Sequence, residues 1–257
     1  MTINHNYFQI PAMSGSKLLD FAKLGPEAWA WKYESGEYVD EVTDALRFGK
    51  ALHGSLLEDR EYPLWPQGDG RTKAVKEARD AFTEEVYWKD ADELTDATRM
   101  VSAVKAHPHA QVFLEDYIPE IILRWEHPAL GQCKALLDAV TADGFIVEFK
   151  STRHTREDDV LKDFINLGYY EKAWWYSEGF EASYGKPPQG FVYIVSCKDR
   201  PNHCWVYELS AECLEWGKQG MESNIAAVLN YLAHGCKPKE LQKTRLPDWA
   251  ARKIGVI

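Results

Sequence analysis

The chain has 257 residues, of which 45% are hydrophobic and 27% are charged, a composition typical of a folded globular protein with a substantial core. Its formal net charge of −10 argues against a protein that coats nucleic acid nonspecifically, and its five widely spaced cysteines form no C-x-x-C pair that would indicate a zinc or iron–sulfur site. No apolar run approaches the ~20 residues of a membrane span, and the N-terminus lacks a basic-then-apolar signal pattern, so we expect an intracellular protein without a membrane anchor.

The first half of the chain is predicted to be mainly helical. Apolar residues at helical spacing, separated by proline- and glycine-containing breaks, predict helices over 14–33, 44–58, 73–87 and 94–106. The first helix is interrupted and restarted at Gly25-Pro26, and the last one ends before His107-Pro108. The third and fourth helices are charged and only weakly amphipathic, so we expect them to be peripheral.

The second half of the chain alternates between predicted strands and helices. Apolar and β-branched runs predict strands over 120–126, 133–140, 145–150, 190–197 and 203–209. Helices are expected over 167–177 and 212–232, followed by a proline-containing charged tail from residue 237. This order predicts an α/β (α+β) fold in which a mixed sheet is flanked by helices, within a single domain because no linker is evident.

The charges are unevenly distributed between these halves. Residues 1–130 contain 23 acidic and 14 basic residues, whereas residues 131–257 contain 17 acidic and 16 basic residues. The nearly neutral second half can therefore present a local phosphate-binding surface on an otherwise acidic protein.

Two predicted strands carry charged residues inside apolar runs. Asp138 lies in the strand 133–140, and Glu148 and Lys150 lie in the strand 145–150, which follows the Asp143-Gly144 turn. Glu148 and Lys150 are two residues apart, so their side chains project from the same face of the strand. We therefore expect the two carboxylates and the ammonium group to meet at one edge of the sheet.

This combination of groups suits a divalent metal ion and an activated water molecule. Asp138 and Glu148 supply the hard oxygen ligands that Mg²⁺ or Mn²⁺ prefers, and the carbonyl oxygen of Phe149 could supply a third. Lys150 could stabilise the attacking hydroxide or help to deprotonate the water. The alternative is a surface salt bridge on a hairpin. The apolar surroundings favour a site, because buried charges are costly unless they are paired or bound to metal.

Further candidates lie elsewhere in the chain. His53 is a nitrogen ligand if its helix packs over the sheet, and otherwise a core histidine. Glu120 could reach the same site, or it could be a solvated acid at a strand start, and Glu58 has the same ambiguity. Lys172 and Tyr176 are four residues apart on one helix face and could meet a phosphate or a terminal base, and Arg153 belongs to a nearby basic run. The alternative for this aromatic helix is packing against the sheet.

Together these segments resemble the PD-(D/E)XK nuclease superfamily, and within it the RecE-type (exonuclease VIII-like) branch found in phages and prophages. The signature residues are Asp138 and Glu148-Phe149-Lys150. The supporting segments are Phe48-Gly49-Lys50-Ala51-Leu52-His53, Leu56-Leu57-Glu58, His107-Pro108, Lys134-Ala135-Leu136-Leu137-Asp138 and Tyr176-Ser177-Glu178-Gly179-Phe180-Glu181.

The resemblance implies a restriction-endonuclease-like core over 119–235, preceded by a helical part over 1–118 and followed by a tail over 236–257. It implies a Mg²⁺-dependent exonuclease that degrades duplex DNA ends from 5′ to 3′, forms a ring-like trimer or tetramer, and works beside a single-strand-annealing recombinase. Such a protein would be phage or prophage encoded and cytoplasmic in a bacterial host.

Carried over residue by residue, the resemblance makes His53, Asp138 and Glu148 metal ligands and Lys150 the catalytic lysine. Tyr176 matches the tyrosine of the family's Q-x-x-x-Y motif, whereas Lys172 stands where the glutamine is expected. Leu136-Leu137 likewise replaces the usual Arg-Pro or Arg-Leu. The competing hypotheses are an endonuclease or single-strand nuclease on the same core, and a noncatalytic module that retains a nuclease-like fold for binding.

Overall fold

The structure is a computed structural model that describes residues 4–39, 41–236, 247–253 and 255. Its helices are α1 (Asn4–Gln9), α2 (Gly15–Leu24), α3 (Pro26–Glu34), α4 (Asp44–Leu57), α5 (Lys73–Asp80), α6 (Ala91–Ala106), α7 (Pro108–Phe113), α8 (Glu157–Asn166), α9 (Tyr169–Tyr184), α10 (Ala211–His234) and α11 (Asp248–Lys253). Its strands are β1 (Met13–Ser14), β2 (Tyr117–His127), β3 (Gly131–Thr141), β4 (Phe145–Thr152), β5 (Gly190–Cys197) and β6 (Cys204–Glu208).

The six strands form one mixed sheet with β3 and β4 in its interior. β3 pairs with β2 along nearly its whole length in antiparallel orientation, and its first half also pairs with the short parallel strand β1. β4 pairs with β5 in parallel orientation, and β6 completes that side as an antiparallel strand. β3 and β4 themselves are paired only at Ala139–Val147 and Val140–Ile146, next to their connecting turn. Beyond these pairs the two strands separate, and we call the opening between them the fork.

Helices cover both faces of the sheet and bury a separate hydrophobic cluster on each. On one face, α2, α8, α9 and α10 bury large side chains such as Leu18, Phe164, Trp175 and Tyr193. On the other face, α4 and α6 bury residues including Leu52 and Met100 against Val147, Phe149 and Ile194 of the sheet. Burial on both faces explains why β5 is almost entirely apolar and why β4 is apolar on both sides of Glu148.

The β2–β3 ribbon changes faces where the fork opens. Leu137 belongs to the cluster under α9, whereas Ala139, two residues later, belongs to the cluster under α4. Alternation along a regular strand would place both on the same face, so the ribbon is twisted between them. On β2, Glu120 lies opposite Asp138 between two paired positions, Pro119–Ala139 and Ile121–Leu137. Its backbone is left-handed, with φ of 54°. This conformation is rare for a residue other than glycine, and here it accompanies the change of face.

Most predicted elements are confirmed. The first helix is divided at Gly25 into α2 and α3, and the motif strands form a hairpin. The strands β3, β4, β5 and β6 lie within two residues of their expected bounds. The aromatic helix is longer than expected and is preceded by α8, which the sequence reading did not include. A left-handed Gly168, with φ of 71°, separates these two helices.

Three expectations were wrong. The helix predicted over 73–87 ends at Asp80, because the later residues form an extended bridge in which the Trp88 N–H donates to the Pro63 carbonyl. The helix α6 is not peripheral, since Ala97, Met100 and Val104 pack in the cluster under α4. Finally, the motif residues lie at a fork between interior strands and not at a sheet edge.

Much of the predicted C-terminal tail, residues 237–246, lies outside the described residues, and α11 follows it. Within the parts of the chain that the structure describes, no helix combines the length and apolarity that a membrane span requires.

Candidate active site

The fork exposes backbone groups that side chains then bind. Where the β3–β4 ladder stops, the Asp138 N–H donates to Glu148 Oε1 at 3.1 Å, and the Phe149 N–H donates to Asp138 Oδ2 at 2.8 Å. Each carboxylate thus replaces a carbonyl acceptor that continued strand pairing would have supplied. Both acids are fixed in position by the backbone of the other strand.

Lys150 lies between the two carboxylates. Its Nζ is 2.8 Å from Glu148 Oε2 and 3.4 Å from Asp138 Oδ2. The rings of Tyr169 and Tyr193 each have their centroid 6.0 Å from this ammonium group and form the aromatic side of its environment. The structure therefore brings together the three residues of the predicted Asp…Glu-X-Lys motif.

His53 approaches the same carboxylate from the opposite face of the sheet. It lies on α4, which begins at the N-cap Thr43 and buries Phe48, Ala51, Leu52 and Leu56 against the sheet. The Nε2 atom of His53 is 2.9 Å from Asp138 Oδ2, and its ring centroid is 6.2 Å from that of Phe149. The interpretation of His53 as a ligand depended on the condition that this helix packs over the sheet. That condition is met, so His53 and Asp138 are brought together from different parts of the chain.

Burial and mutual interaction shift the ionisation of these groups. Burial alone would raise the pKa of Asp138, but His53, Lys150 and the Phe149 N–H lower it well below its ordinary value. Burial and the neighbouring Asp138 raise the pKa of Glu148. Although burial opposes it, the two carboxylates raise the pKa of Lys150, so the lysine stays charged. The cluster thus contains one strongly acidic carboxylate beside one that holds its proton more tightly.

A second carboxylate pair adjoins this cluster. The side chains of Glu58 and Glu120 are 13% and 9% exposed, and Arg60 lies between them. The Arg60 guanidinium is 2.5 Å from Glu58 Oε2 and 4.0 Å from Glu120 Oε2. Burial, with Glu120 as a further contribution, raises the pKa of Glu58. The segment after α4 packs closely on this helix because Gly54 has no side chain. A Cβ atom at Gly54 would collide with the Tyr62 hydroxyl.

Both groups of charges line one cavity. Its volume is about 620 Å³, and its walls include His53, Glu58, Glu120, Asp138 and Lys150. A smaller cavity of about 180 Å³ continues past Lys150 along the end of β4 toward Arg153. Glu58, Glu120, Asp138 and His53 therefore face a space large enough for a nucleotide-sized ligand.

The donor atoms of this cavity fit a divalent metal ion. Within the described residues, no three His, Cys, Asp or Glu side chains are spaced as a ready-made metal cage, and Glu148 instead binds Lys150 and the backbone. His53 Nε2 and Asp138 Oδ2, however, lie 2.9 Å apart without hydrogen-bond geometry. Adjacent ligands of an octahedral ion with bonds of about 2.0–2.1 Å are separated by about 3 Å, so these two atoms have the spacing of neighbouring ligands.

The predicted DNA-contacting residues have different surroundings. Burial and Lys150 lower the pKa of Lys172, and no described residue forms an ion pair with it. Burial, with an added effect of Glu148, raises the pKa of Tyr176 well above its ordinary value, and its ring stacks on Phe191. Lys172 and Tyr176 follow Tyr169 by three and seven residues on α9, and the Tyr169 ring centroid is 6.0 Å from Lys150 Nζ, so they lie on the side of α9 that faces the charge cluster. Arg153 is exposed just after β4.

Sequence reasoning missed Arg60 and the strain at Glu120. A single arginine in a loop carries no periodic signal, and its acidic partners become neighbours only when α4 packs beside β2. Glu120 had one usable signal, an acid directly before the apolar run of β2. Its left-handed backbone could not be inferred, because it results from the twist of the ribbon at the fork.

Comparison with solved structures gives a fold match over nearly the whole chain. The crystal structure of a "Putative exonuclease" from Eubacterium rectale has a TM-score of 0.68 and 16% sequence identity, and the match covers 97% of each chain. An alkaline exonuclease from Laribacter hongkongensis matches 51% of this chain and 70% of its own, with a TM-score of 0.27 and 14% identity. No curated protein matches the chain.

A family profile matches residues 14–246, which include every residue of the fork and its cavity named above. The family is described as a PDDEXK-like domain of unknown function, DUF3799. Its name refers to the acid and acid-X-lysine pattern that Asp138, Glu148 and Lys150 form at the fork. The chain therefore belongs to the PDDEXK-like family DUF3799, which confirms its predicted place in the PD-(D/E)XK nuclease superfamily.

Proposed function

We propose that this protein is a Mg²⁺-dependent exodeoxyribonuclease that hydrolyses phosphodiester bonds from the ends of duplex DNA, with Mn²⁺ as a substitute ion. One observation carries the proposal. Asp138, Glu148, Lys150 and His53, from three separate elements, converge at a fork that opens into a cavity of about 620 Å³ within a PDDEXK-like domain.

The metal-binding atoms of the proposal are His53 Nε2, the carboxylates of Asp138 and Glu148 and the backbone carbonyl of Phe149. Glu120 faces the same cavity and is a possible additional ligand. A bound divalent ion would neutralise charge on the phosphate and lower the pKa of the attacking water. Hard oxygen ligands with one imidazole suit Mg²⁺ or Mn²⁺ better than a softer ion.

Lys150 has the role of a fixed positive charge. Its pKa is raised by Asp138 and Glu148, so it remains an ammonium group that donates hydrogen bonds and does not accept a proton. Held 2.8 Å from Glu148, it can orient the attacking water and stabilise the negative charge that develops on the phosphate oxygens. Asp138 is held as a carboxylate and is the stronger anionic ligand of the pair.

Duplex ends are proposed as the substrate because of the residues around the cavity. Lys172 and Tyr176 face the charge cluster from α9, and exposed Arg153 follows β4, so cationic and aromatic groups flank the proposed cutting site. The 5′-to-3′ direction, the ring-like homo-oligomer and cooperation with an annealing recombinase in phage-type recombination follow from the RecE-type resemblance and belong to the same proposal.

The test is digestion of three duplex substrates in Mg²⁺ or Mn²⁺: one with 5′-phosphates, one with blocked 3′ ends, and one covalently closed circle. We expect both linear substrates to be shortened from their 5′ ends, and the circle to survive. Cutting of the circle would favour the endonuclease on the same core. Absence of cleavage of any DNA in either metal would favour the noncatalytic binding module and overturn the proposed function.

A further inference from the structure

We propose that Arg153 and Lys198 form a phosphate clamp that holds the backbone of duplex DNA beside the cutting site. The inference rests on the proposed nuclease function and extends it by assigning a path for the DNA backbone. Lys198 has no role in the charge cluster at the fork, and the position of both residues follows from the register of two parallel strands.

The clamp residues occupy equivalent positions on neighbouring strands. In the β4–β5 ladder Thr152 pairs with Cys197, so Arg153 and Lys198 are the next residues on their strands. The Lys198 N–H donates to the Thr152 carbonyl at 2.8 Å, which extends the pairing by one step. Paired strands are about 4.8 Å apart, so the two cations leave the sheet as close neighbours.

Lys198 is held in place by an aromatic ring and not by an acid. Its Nζ lies 3.8 Å from the ring centroid of Phe48 on α4, and the charge therefore remains available to an anion. Among the described residues, neither Lys198 nor Arg153 forms an ion pair. Burial and the nearby Arg153 lower the pKa of Lys198, whereas Glu93 raises it.

A cavity adjoins both Arg153 and the proposed cutting site. Its volume is about 180 Å³, and Lys150, Ser151, Thr152 and Arg153 all contribute to its walls. These residues are consecutive in β4, and a strand rises about 3.3 Å per residue, so Lys150 and Arg153 are about 10 Å apart along the strand. Phosphates of one strand of duplex DNA are about 3.4 Å apart along the helix axis, so this distance corresponds to about three nucleotides. The clamp therefore meets a phosphate a few nucleotides from the scissile one.

The test measures the salt dependence of DNA binding in the metal-free protein, with EDTA to prevent cleavage. A fluorescent blunt-ended duplex is titrated with wild type, Arg153→Gln, Lys198→Met and Lys198→Arg at several salt concentrations. Each lost phosphate contact reduces the slope of log K against log salt by about 0.9. We therefore expect the loss of affinity between about 50 and 200 mM salt to be about 3.5-fold smaller in Arg153→Gln and Lys198→Met.

Two controls separate charge from packing. Lys198→Met keeps an apolar stem over Phe48, and Lys198→Arg should restore the wild-type slope because it retains the cation. Lys186→Gln removes an exposed lysine that precedes β5, at the opposite end of that strand, and should leave the slope unchanged. If Lys198→Met lowers the melting temperature, Arg153→Gln alone decides the result.

The outcomes distinguish the clamp from the nuclease proposal. Wild-type slopes in Arg153→Gln and Lys198→Met, together with DNA cleavage by the wild type, would overturn the clamp and leave the nuclease function standing. Reduced slopes in a wild type that cleaves no DNA in Mg²⁺ or Mn²⁺ would overturn the nuclease function and retain the clamp as a DNA-binding surface. An equal drop in slope for Lys186→Gln would show a diffuse charge effect and also overturn the clamp.

Discussion

Two clusters of buried charge in the part of the chain that the structure describes differ in whether they open into a cavity. One joins Arg47 of α4 to Glu93 of α6, and the other is the charge cluster at the fork. The Arg47 guanidinium forms two hydrogen bonds to the Glu93 carboxylate, at 2.9 and 2.8 Å, and a third to the Tyr87 carbonyl. It also stacks over the Tyr87 ring and is 2% exposed, the Glu93 side chain is 19% exposed, and neither residue lines the cavity at the fork.

The fork cluster has the opposite character. Asp138 and Glu148 share one lysine, and Glu58 and Glu120 share one arginine, so acids outnumber these bases. Three of these acids, Glu58, Glu120 and Asp138, line the cavity of about 620 Å³. An ion pair held by several hydrogen bonds joins two helices, whereas an acid-rich cluster open to a cavity has capacity for a further cation. We therefore expect the Arg47–Glu93 pair to contribute to stability and the fork cluster to contribute to catalysis.

The largest effects are expected at the fork. Asp138→Asn and Glu148→Gln each weaken a proposed metal ligand, and Lys150→Met removes the ammonium group proposed to stabilise charge on the phosphate. We expect each to lower DNA cleavage by about a hundredfold to a thousandfold. Cleavage of a linear duplex in Mg²⁺, measured on protein that retains the wild-type circular dichroism spectrum, tests this. Glu126→Gln, which changes an exposed acid of β2, is the matched control. Near-normal cleavage by Glu148→Gln would remove this residue from the proposed mechanism.

Changes in the Arg47–Glu93 pair should lower stability and leave DNA cleavage nearly unchanged. Arg47→Met and Glu93→Gln each leave one partner of a buried ion pair without its counterpart, and we expect the free energy of unfolding to fall by about 3–5 kcal/mol. Cleavage per folded molecule should remain within a fewfold of wild type, because neither residue lines the cavity. Urea unfolding and cleavage at low temperature measure the two quantities. A variant that lost activity but kept its stability would contradict the contrast between the clusters.

Metal binding offers a third comparison. A ligand that binds only the folded state at about 100 times its Kd raises the unfolding free energy by about 2.7 kcal/mol. We expect Mn²⁺ to raise the melting temperature of wild type, and Asp138→Asn or His53→Ala to reduce that rise. Arg47→Met should retain the rise although it starts from a lower melting temperature. An undiminished rise in Asp138→Asn would show that the ion binds elsewhere.

The sequence predicted the chemistry of the fork better than its geometry. Asp138, Glu148 and Lys150 were placed together because hairpin chemistry and strand alternation are local rules, and their contacts depend on only two short strands. His53 required the additional assumption that α4 packs on the sheet. Arg60, the face change between Leu137 and Ala139, and the separation of β3 from β4 arise from packing between distant segments. Periodicity carries no information about these features.

The left-handed backbone at Glu120 predicts a difference of about 1 kcal/mol in the free energy of unfolding between two variants at this position. The left-handed conformation costs a residue with a side chain roughly 1–2 kcal/mol, whereas glycine adopts it readily. Glu120→Gly and Glu120→Ala delete the same carboxylate, so we expect them to lose cleavage activity equally. The glycine variant should nevertheless be more stable than the alanine variant by about 1 kcal/mol in urea unfolding. Equal stability would mean that the strain is absent in solution.

The last prediction concerns Lys134, a buried charge that lies outside both clusters. Its ammonium group is bound by the carbonyls of Tyr7 and Ile10, not by a carboxylate, and the residue is 5% exposed. Burial, with a contribution from Lys17, lowers its pKa to about 8, below the ordinary value of 10.5. Between these two values the unfolded chain binds more protons than the folded one, so this lysine makes stability rise with pH.

Lys134→Met should remove that rise. We expect the unfolding free energy of wild type, relative to that of the variant, to increase from pH 8 to pH 9.5 by no more than about 1.4 kcal/mol per pH unit. Comparing the two proteins cancels the titration of other groups, including Cys133, whose pKa burial raises to about 11. Urea unfolding at four pH values measures the difference. A constant difference would mean that Lys134 keeps its ordinary ionisation, so that carbonyl oxygens alone stabilise a buried charge as well as the carboxylates at the fork do.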